Sequence, residues 1–178
     1  MADSLSLALV EKRLVTDQMV LTVCYDVENL RDGRVYNGPV ETDHYGRSVP
    51  KNAHGSINLG RNTASSKTIV EAVARLYDRI VDKELLVRRM YVVANHVMDE
   101  RLGQPSQRPE QLELFTDYKA LEARRTREQA AAEHERRTQE ALLAIRRKLG
   151  KNAILKGMNL EDGATARDRN RQIGGHKA

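Results

Sequence analysis

The segment DQMVLTVCYDV, residues 17–27, constrains the fold more than any other part of this sequence. Successive side chains of a β-strand point to opposite faces, and this segment separates its residues accordingly. One face would carry Met19, Leu21, Val23, Tyr25 and Val27, and the other Val20, Thr22, Cys24 and Asp26. Because the first face is entirely apolar, the segment predicts a strand whose sheet is packed on one side.

Two other segments have the apolar spacing of amphipathic helices. One opens the chain, and the other runs from Ser66 to about Lys83. The start of the second helix has two explanations: Thr68 and Glu71 have capping-box spacing, whereas Ser65 or Ser66 could equally cap it. The apolar positions of the two helices are Leu7, Val10 and Leu14, followed by Ile69, Val73, Leu76 and Ile80.

Two further strands are predicted. Residues 28–52 are rich in Gly, Asp, Asn and Pro and indicate a long loop or hairpin arm. The stretch HGSINLGR after them gives a short second strand, with Ile57 and Leu59 on one face. The third strand, VRRMYVVANHV, is apolar on both faces over much of its length, which favours a central position in the sheet.

The resulting order of helix, strand, strand, helix, strand indicates an α+β domain over residues 1–98. Ferredoxin-like domains run β-α-β-β-α-β, so the order matches that fold with the first strand absent. The absent strand would normally lie between two others, and an unpaired strand edge is costly. We therefore expect either a fragment or a sheet in which another segment or chain fills that position.

The second half of the chain has a different composition. Residues 99–116 indicate a linker, residues 117–150 a long charged helix, and residues 151–178 a basic flexible tail. Residues 1–98 carry a net charge of +1 and the remainder +4, so the basic excess lies in the sparsely apolar half. Charge runs of this kind are usually solvated helix surfaces with i,i+4 pairs, and binding of DNA or a protein partner is the alternative.

Several classes of protein are disfavoured by composition. The single cysteine, Cys24, cannot form an intramolecular disulfide and is expected to be a small packing residue in a reducing compartment. No apolar run approaches the length of a membrane span, and the N-terminus lacks the basic start of a signal peptide. We therefore expect a cytoplasmic protein without membrane contact. The five histidines and Cys24 show no metal-ligand spacing, so no metal is expected in this chain. No Gly-rich phosphate loop and no nucleophile–base pair stands out, and neither a cofactor nor a small-molecule substrate is expected.

The only phenylalanine, Phe115, stands in the stretch QLELF, residues 111–115, inside the polar linker. An extended peptide can place apolar anchors in a preformed pocket while a polar side chain fixes its register. Here Leu112, Leu114 and Phe115 would be the anchors and Gln111 the polar contact. The alternative is that Leu114 and Phe115 fold back to cap the small domain.

Together these features resemble the C-terminal part of bacterial Y-family translesion DNA polymerases, of the DNA polymerase IV and UmuC-like kind. Residues 3–98, with TIVEAVARLYDRI followed by LVRRMYV, resemble the little finger domain of that family. The stretch QLELF resembles its sliding-clamp-binding peptide, a Gln-Leu-x-Leu-Phe pattern. The end RNRQIGGHKA resembles the tails of UmuC-like relatives in Gram-positive bacteria.

The resemblance implies a chain that binds DNA and the sliding clamp during damage bypass, DNA repair and the SOS response. Its DNA contacts would be to phosphates and independent of sequence. The family's last strand carries paired basic residues where Arg88 and Arg89 stand here. A second candidate contact is the turn GRNTASSKT at a helix N-terminus, with less support for two flanking residues. Its residues are Arg61, Asn62, Thr63, Ser65, Ser66 and Lys67, and the flanking ones are Lys51 and His54. Plain helix capping is the alternative role of the hydroxyls.

The resemblance implies that the catalytic residues of the family are not in this chain. Y-family polymerases hold two Mg²⁺ ions on acidic residues of a palm domain, and the corresponding motif is absent here. The pair Asp99–Glu100 is only superficially similar to the second acidic motif of the family, because it follows the domain. Whether the chain is an enzyme is therefore open, and no catalytic residue is predicted. A different hypothesis is a free-standing ferredoxin-like adaptor whose basic helical tail binds a protein partner.

Overall fold

The computed structural model describes residues 1–31, 35–103, 118–173 and 176–177. The chain divides into two compact units, Ala2–Gln107 and Arg108–Ala178, and each is considered by itself. The first unit is a mixture of helices with an antiparallel sheet, as the predicted α+β class requires. Its elements are α1 (Ala2–Glu11), β1 (Leu14–Tyr25), β2 (Val40–Thr42), β3 (Ser48–Pro50), β4 (Ala53–Thr63), α2 (Ser66–Ile80), β5 (Val87–Asn95) and β6 (Met98–Asp99).

Strand β1 is the centre of the sheet, in the order β4–β1–β5, and the short β6 pairs with its first residues. All pairings are antiparallel; Met19 of β1 lies opposite Ile57 of β4 and Ala94 of β5. The alternation predicted for this strand is confirmed, because the apolar face is buried and the other is not. The buried residues are Met19, Leu21, Val23 and Tyr25. The strand ends at Tyr25, so Val27 does not belong to it: Asp26 instead caps a 3-10 turn over Val27–Leu30.

The core lies between this face of the sheet and the two helices. Leu21, Val23 and Tyr25 pack with Leu76 of α2 and with Val81 just beyond it. Ile69 and Leu76 are fully buried, which confirms the predicted apolar face of α2. The hydroxyls of Ser6 and Ser66 lie 2.6 Å apart and join α1 to α2 inside the core. Both helices therefore cover one face of the sheet.

The prediction that the third strand is central is wrong. Within the described residues, β5 pairs with β1 and no other long strand, so it forms an edge of the sheet. Its apolar residues are half exposed on both faces, with Met90 at 38% and Val93 at 48%. A strand that is apolar on both faces can be buried between layers or lie at an uncovered edge, and composition does not distinguish the two.

The second unit contains α3 (Tyr118–Leu149), a single 32-residue helix close to the predicted bounds. Pairs of opposite charge at i,i+4 run along it, for example Arg124 with Glu128 and Arg136 with Glu140. The tail predicted to be flexible contains a short helix, α4 (Ala166–Asn170), and a two-residue pairing of β7 (Gln172–Ile173) with β8 (His176–Lys177). Asn170 Nδ2 also donates to Asn152 Oδ1, 2.7 Å away.

Candidate nucleic-acid interface

The sheet face opposite the helices, called the open face below, is mostly polar. The residues of the open face follow from the strand register, since residues directly opposite each other in an antiparallel pair share a face. Val20 and Val93 interrupt an otherwise polar set that carries a positive charge and no carboxylate. The open face consists of Gln18, Val20, Thr22 and Cys24 of β1, His54, Ser56 and Asn58 of β4, and Arg89, Tyr91, Val93 and Asn95 of β5.

Side-chain hydrogen bonds cross all three strands on this face. Gln18 Nε2 donates to Asn58 Oδ1 at 2.9 Å, and Asn95 Nδ2 donates to Gln18 Oε1 at 3.0 Å. Thr22 Oγ1 and His54 Nδ1 lie 2.8 Å apart in a further cross-strand hydrogen bond. These bonds hold the polar groups of the three strands in fixed positions relative to one another.

Arg89 is the cation of the open face. Its Nη1 donates to Tyr91 Oη at 2.8 Å, and this hydrogen bond raises the pKa of Arg89 above its usual value. The guanidinium carbon of Arg89 also lies over the Tyr91 ring, 5.8 Å from its centre. Arg88 differs: its Nη1 lies 3.9 Å from Asp26 Oδ2, in a partly exposed ion pair. Of the two predicted arginines, Arg89 is therefore the one presented on the open face.

The β2–β3 hairpin lies near Arg89. Tyr45, between the two strands, is 76% exposed, and β3 of the hairpin contacts β1, whose Cys24 lies opposite Arg89. Arg47 lies 5.1 Å from the centre of the Tyr45 ring and makes a two-bond ion pair with Asp43. These bonds from Arg47 lower the pKa of the Asp43 carboxyl to about 2. An arginine and an exposed tyrosine thus stand near one end of the open face.

The predicted DNA contacts in the turn before α2 fall into two groups, the hydroxyl and amide side chains and the charged side chains. The hydroxyl of Ser65 accepts a hydrogen bond from Thr68 N and caps the helix, which resolves the two capping hypotheses in favour of Ser65. Ser66 is buried against α1, and Asn62 Nδ2 donates to the carbonyl of Gly103. Thr63 Oγ1 accepts a bond from the amide of the cap residue. These hydroxyls and the amide therefore organise the turn.

The charged residues of the same region are exposed. Arg61 and Lys67 flank the turn, and Lys51 precedes β4. In the register of β1 and β4, residues 59–62 form a bulge beyond Asn58, with Gly60 at φ +77°, and this bulge carries Arg61. His54 lies on the open face in the bond to Thr22 described above. Only His54 and Arg89, of the predicted contacts, share the open face, while Arg61, Lys67 and Lys51 are exposed elsewhere on the same unit.

Sequence reasoning missed Tyr91, Gln18 and the two asparagines of the open face. A usable pattern is present in β4, where His54, Ser56 and Asn58 occupy every second position, as expected for a solvated sheet face. The matching residues of β1 and β5 could be paired with these only once the register was known. Tyr91 lies within an apolar run and gives no sign of facing outward.

The remaining predicted sites do not belong to this surface. The peptide of Gln111, Leu112, Leu114 and Phe115 lies outside the described residues. Asp99, the first acid of the superficially similar motif, pairs with Leu14 in the sheet and accepts bonds from Arg101, which lower its pKa. In the described ranges there is no cluster of three or more His, Cys, Asp or Glu side chains arranged to hold a metal ion. No helix in those ranges is long and apolar enough to cross a membrane.

Comparison with known proteins adds no relative. A scan against protein-family models, a search of curated proteins and a search of solved structures each found no match.

Proposed function

We propose that this chain is the DNA-binding and clamp-tethering C-terminal portion of a Y-family translesion DNA polymerase that acts in damage bypass. The observation that carries the proposal is the stretch QLELF behind a small α+β domain. Four of its five positions match the clamp-binding pattern, and chance agreement at four positions is rare, with odds on the order of a few in a thousand for this length. The nucleotidyl-transfer centre, with its Mg²⁺ ions, would belong to the palm of the parent polymerase.

The finer fold we propose is a variant of the ferredoxin-like little finger domain in which β1 pairs directly with both β4 and β5, so that the three long strands leave no gap for the strand expected between two others. In its support, the first unit has the order of helix, strand, strand, helix, strand, apart from the short hairpin β2–β3 and β6. Both helices pack on one face, and the sheet is antiparallel. If the first unit is a little finger domain, DNA would lie along the open face, where Arg89 and His54 are.

DNA binding is tested by removing charge from the open face. Arg89→Gln should weaken binding to duplexes of unrelated sequence by a similar factor, and should reduce the dependence of log affinity on log salt by about one phosphate contact. Arg88→Gln should have a smaller effect, because Arg88 is paired with Asp26. Fluorescence anisotropy at several salt concentrations measures both quantities.

The matched control is Arg75→Gln, which removes the same charge from α2 on the other side of the sheet. If Arg75→Gln and Arg89→Gln weaken binding equally, the effect comes from net charge and the open face is not the interface. Affinity that does not change between low and moderate salt would contradict backbone recognition altogether.

Clamp binding is tested independently of DNA. Replacing Leu114 and Phe115 with alanine should abolish binding of a purified bacterial sliding clamp, since both apolar anchors are lost. Glu113→Ala is the matched control, because the pattern leaves that position variable. Binding that survives the double substitution would remove the clamp from the proposal.

A further inference from the structure

Residues 146–171, near the end of the second unit, carry a positive charge as large as that of the whole chain. They contain eight Lys and Arg residues against three Asp and Glu, a net charge of +5, and the chain as a whole is also +5. The eight cations are Arg146, Arg147, Lys148, Lys151, Lys156, Arg167, Arg169 and Arg171. Between residues 141 and 160 the sequence has no carboxylate, so these cations are concentrated where few acids can neutralise them.

Hydrogen bonds join the end of α3, the turn that follows and α4 into one cluster, called the basic junction below (residues 146–156 and 166–171). Arg146 Nη2 donates to the carbonyl of Ile154, 3.4 Å away. Asn152 of the turn donates to a carbonyl of α4 at 3.2 Å, and Asn170 of α4 donates to a carbonyl of the turn at 3.4 Å. The cations of the three segments are therefore brought together by asparagine and carbonyl groups and not by carboxylates.

Most of these cations make no ion pair. Further back on α3, arginines pair with acids four residues away, as Arg136 does with Glu140 at 2.9 Å. At the junction, no ion pair within the described residues involves Arg146, Lys148, Lys151, Arg167, Arg169 or Arg171. Cations in the last turn of α3 are favoured by the helix dipole, but that effect falls off within a turn. It therefore does not explain the cations of the following turn and of α4.

Two arginines of the basic junction each have an enclosed donor without an acceptor. The Nε atoms of Arg146 and Arg169 are buried, and neither has a hydrogen-bond partner among the described residues. Buried donors in folded proteins nearly always have a partner, because an unpaired one is costly. Both residues taken whole are only half-buried, so a ligand can reach their guanidinium groups. A ligand with several acceptor oxygens would supply the partners that these donors lack.

We propose that the basic junction is a second nucleic-acid-binding surface of this chain, which holds phosphates of the DNA backbone. The planar donor fork of arginine matches two phosphate oxygens at once, and the lysines add positive charge. Binding would be independent of base sequence, because every nucleotide presents the same phosphate. None of these residues belongs to the open face or to the clamp peptide, so the inference does not rest on the proposed function.

The surroundings of the junction favour nucleic acid over a membrane as the source of the phosphates. Exposed apolar residues do stand in the same stretch, with Leu149 at 74% and Leu160 at 66%. However, Leu160 is followed by Glu161 and Asp162, both exposed, which a flat anionic membrane would repel. The apolar residues before Arg146 are half-buried and form no exposed stripe of the kind that binds an interface. A nucleic-acid backbone is narrow enough to contact the cations alone.

The first test removes two exposed charges of the junction in the full chain. Lys151→Gln combined with Arg167→Gln should weaken binding of a short fluorescent duplex by at least about fivefold at low salt. It should also reduce the slope of log affinity against log salt by about 1.8, since each phosphate contact contributes about 0.9. The matched control, Arg124→Gln combined with Arg127→Gln, removes two exposed charges from an earlier part of α3. Fluorescence anisotropy measures both quantities, and circular dichroism compares the helix content.

The second test keeps the charge and changes the donor geometry. Arg169→Lys retains a cation but removes Nε and the planar fork, so the duplex should bind about threefold more weakly or worse. Arg171→Lys is the matched control, because Arg171 is fully exposed and lies two residues further on. Its affinity should stay within about twofold of the unmodified chain, since a solvated cation keeps its charge in either form. Thermal melting of both variants checks that the fold is unchanged.

The third measurement separates nucleic acid from lipid. Vesicles of phosphatidylcholine and phosphatidylserine are sedimented with the full chain at the salt concentration used for the duplex. We expect the duplex to bind and the vesicles to retain little protein.

Three results would each overturn the proposal. Equal losses in the two double variants would show that only net charge matters. An Arg169→Lys variant that binds as tightly as the unmodified chain would contradict the role of the enclosed guanidinium. Vesicle binding that is lost in the Lys151 and Arg167 variant, with duplex binding unchanged, would assign the phosphates to lipid. Failure of the open face is distinguishable from all three, because Arg89→Gln leaves the basic junction intact.

Discussion

The substitution Asn29→Asp tests how the start of β5 is held in place. Asn29 is 1% exposed, and its side chain makes three hydrogen bonds. Its Nδ2 donates to the carbonyls of Asp26 and Leu86, both at 2.9 Å, and its Oδ1 accepts from Leu86 N at 2.8 Å. The aspartate keeps the shape and the accepting oxygen, but it turns a second oxygen towards two carbonyl oxygens.

The expected loss of unfolding free energy at pH 7 is about 3 kcal/mol. Two donated hydrogen bonds are lost, each contributing on the order of 1 kcal/mol, and a buried charge gains no partner. The neutral acid can donate to one carbonyl, so the folded variant favours protonation and its carboxyl pKa is raised above the unfolded value of about 3.9. The folded state then binds the proton more tightly than the unfolded state, and the deficit shrinks as pH falls from 7 towards 4.

Urea denaturation followed by tyrosine fluorescence is a suitable assay, because Tyr25 is buried in the core of the first unit. Helical circular dichroism is less suitable, since the long helix of the second unit contributes to it. The midpoint for Asn29→Asp should fall by roughly 2 M relative to the unmodified chain, for a slope of about 1–2 kcal/mol per molar urea. The matched control is Asn37→Asp, the same chemical change at an exposed position.

A loss below about 1 kcal/mol at pH 7 would refute the bridging role of Asn29. So would a deficit that stays constant, after correction by the Asn37→Asp control, between pH 7 and pH 5. In either case the position of β5, and of Arg89 on it, would have to depend on the strand pairing alone.

Two further predictions concern ionisation near the open face. Burial raises the pKa of the Cys24 thiol and Arg89 lowers it, so alkylation of Cys24 should reach half its maximal rate above the pH of a free cysteine, and Arg89→Gln should move that midpoint higher still. A midpoint that falls in Arg89→Gln would contradict the arrangement. The carboxyl of Asp43, whose pKa is about 2 beside Arg47, should stabilise the hairpin above about pH 4 and lose this contribution as pH falls through 2. Carboxyl carbon chemical shifts should show that midpoint, and Arg47→Gln should return it towards 3.8.

The elements of the first unit were largely predictable because their periodicity is local. The alternation around Met19 and Leu21 identified β1 and its buried face, and the spacing of Ile69 and Leu76 identified α2. The position of β5 was not predictable in this way. Its two apolar faces have the composition of a central strand, and only the pairing with β1 shows that the strand is an edge.

The residues of the candidate interface were only partly predictable from the sequence. Arg89 was identified through a family resemblance, and the cap at Ser65 was one of the alternatives considered. The cross-strand bonds that join Gln18 to Asn58 and Asn95 connect residues 40 and 77 positions apart, so no local pattern indicates them. The buried side chain of Ser66 was likewise not distinguishable from an exposed hydroxyl until α1 was in place.

The sequence by itself determined the two helices and the three long strands of the first unit, which face of β1 is apolar, and where the pentapeptide QLELF stands, since each is encoded within a few neighbouring residues. The tertiary structure decided which strand is central and which polar residues share the open face. These properties depend on strand pairing between distant parts of the chain. A shift of one residue in that pairing would move every side chain of a strand to the other face.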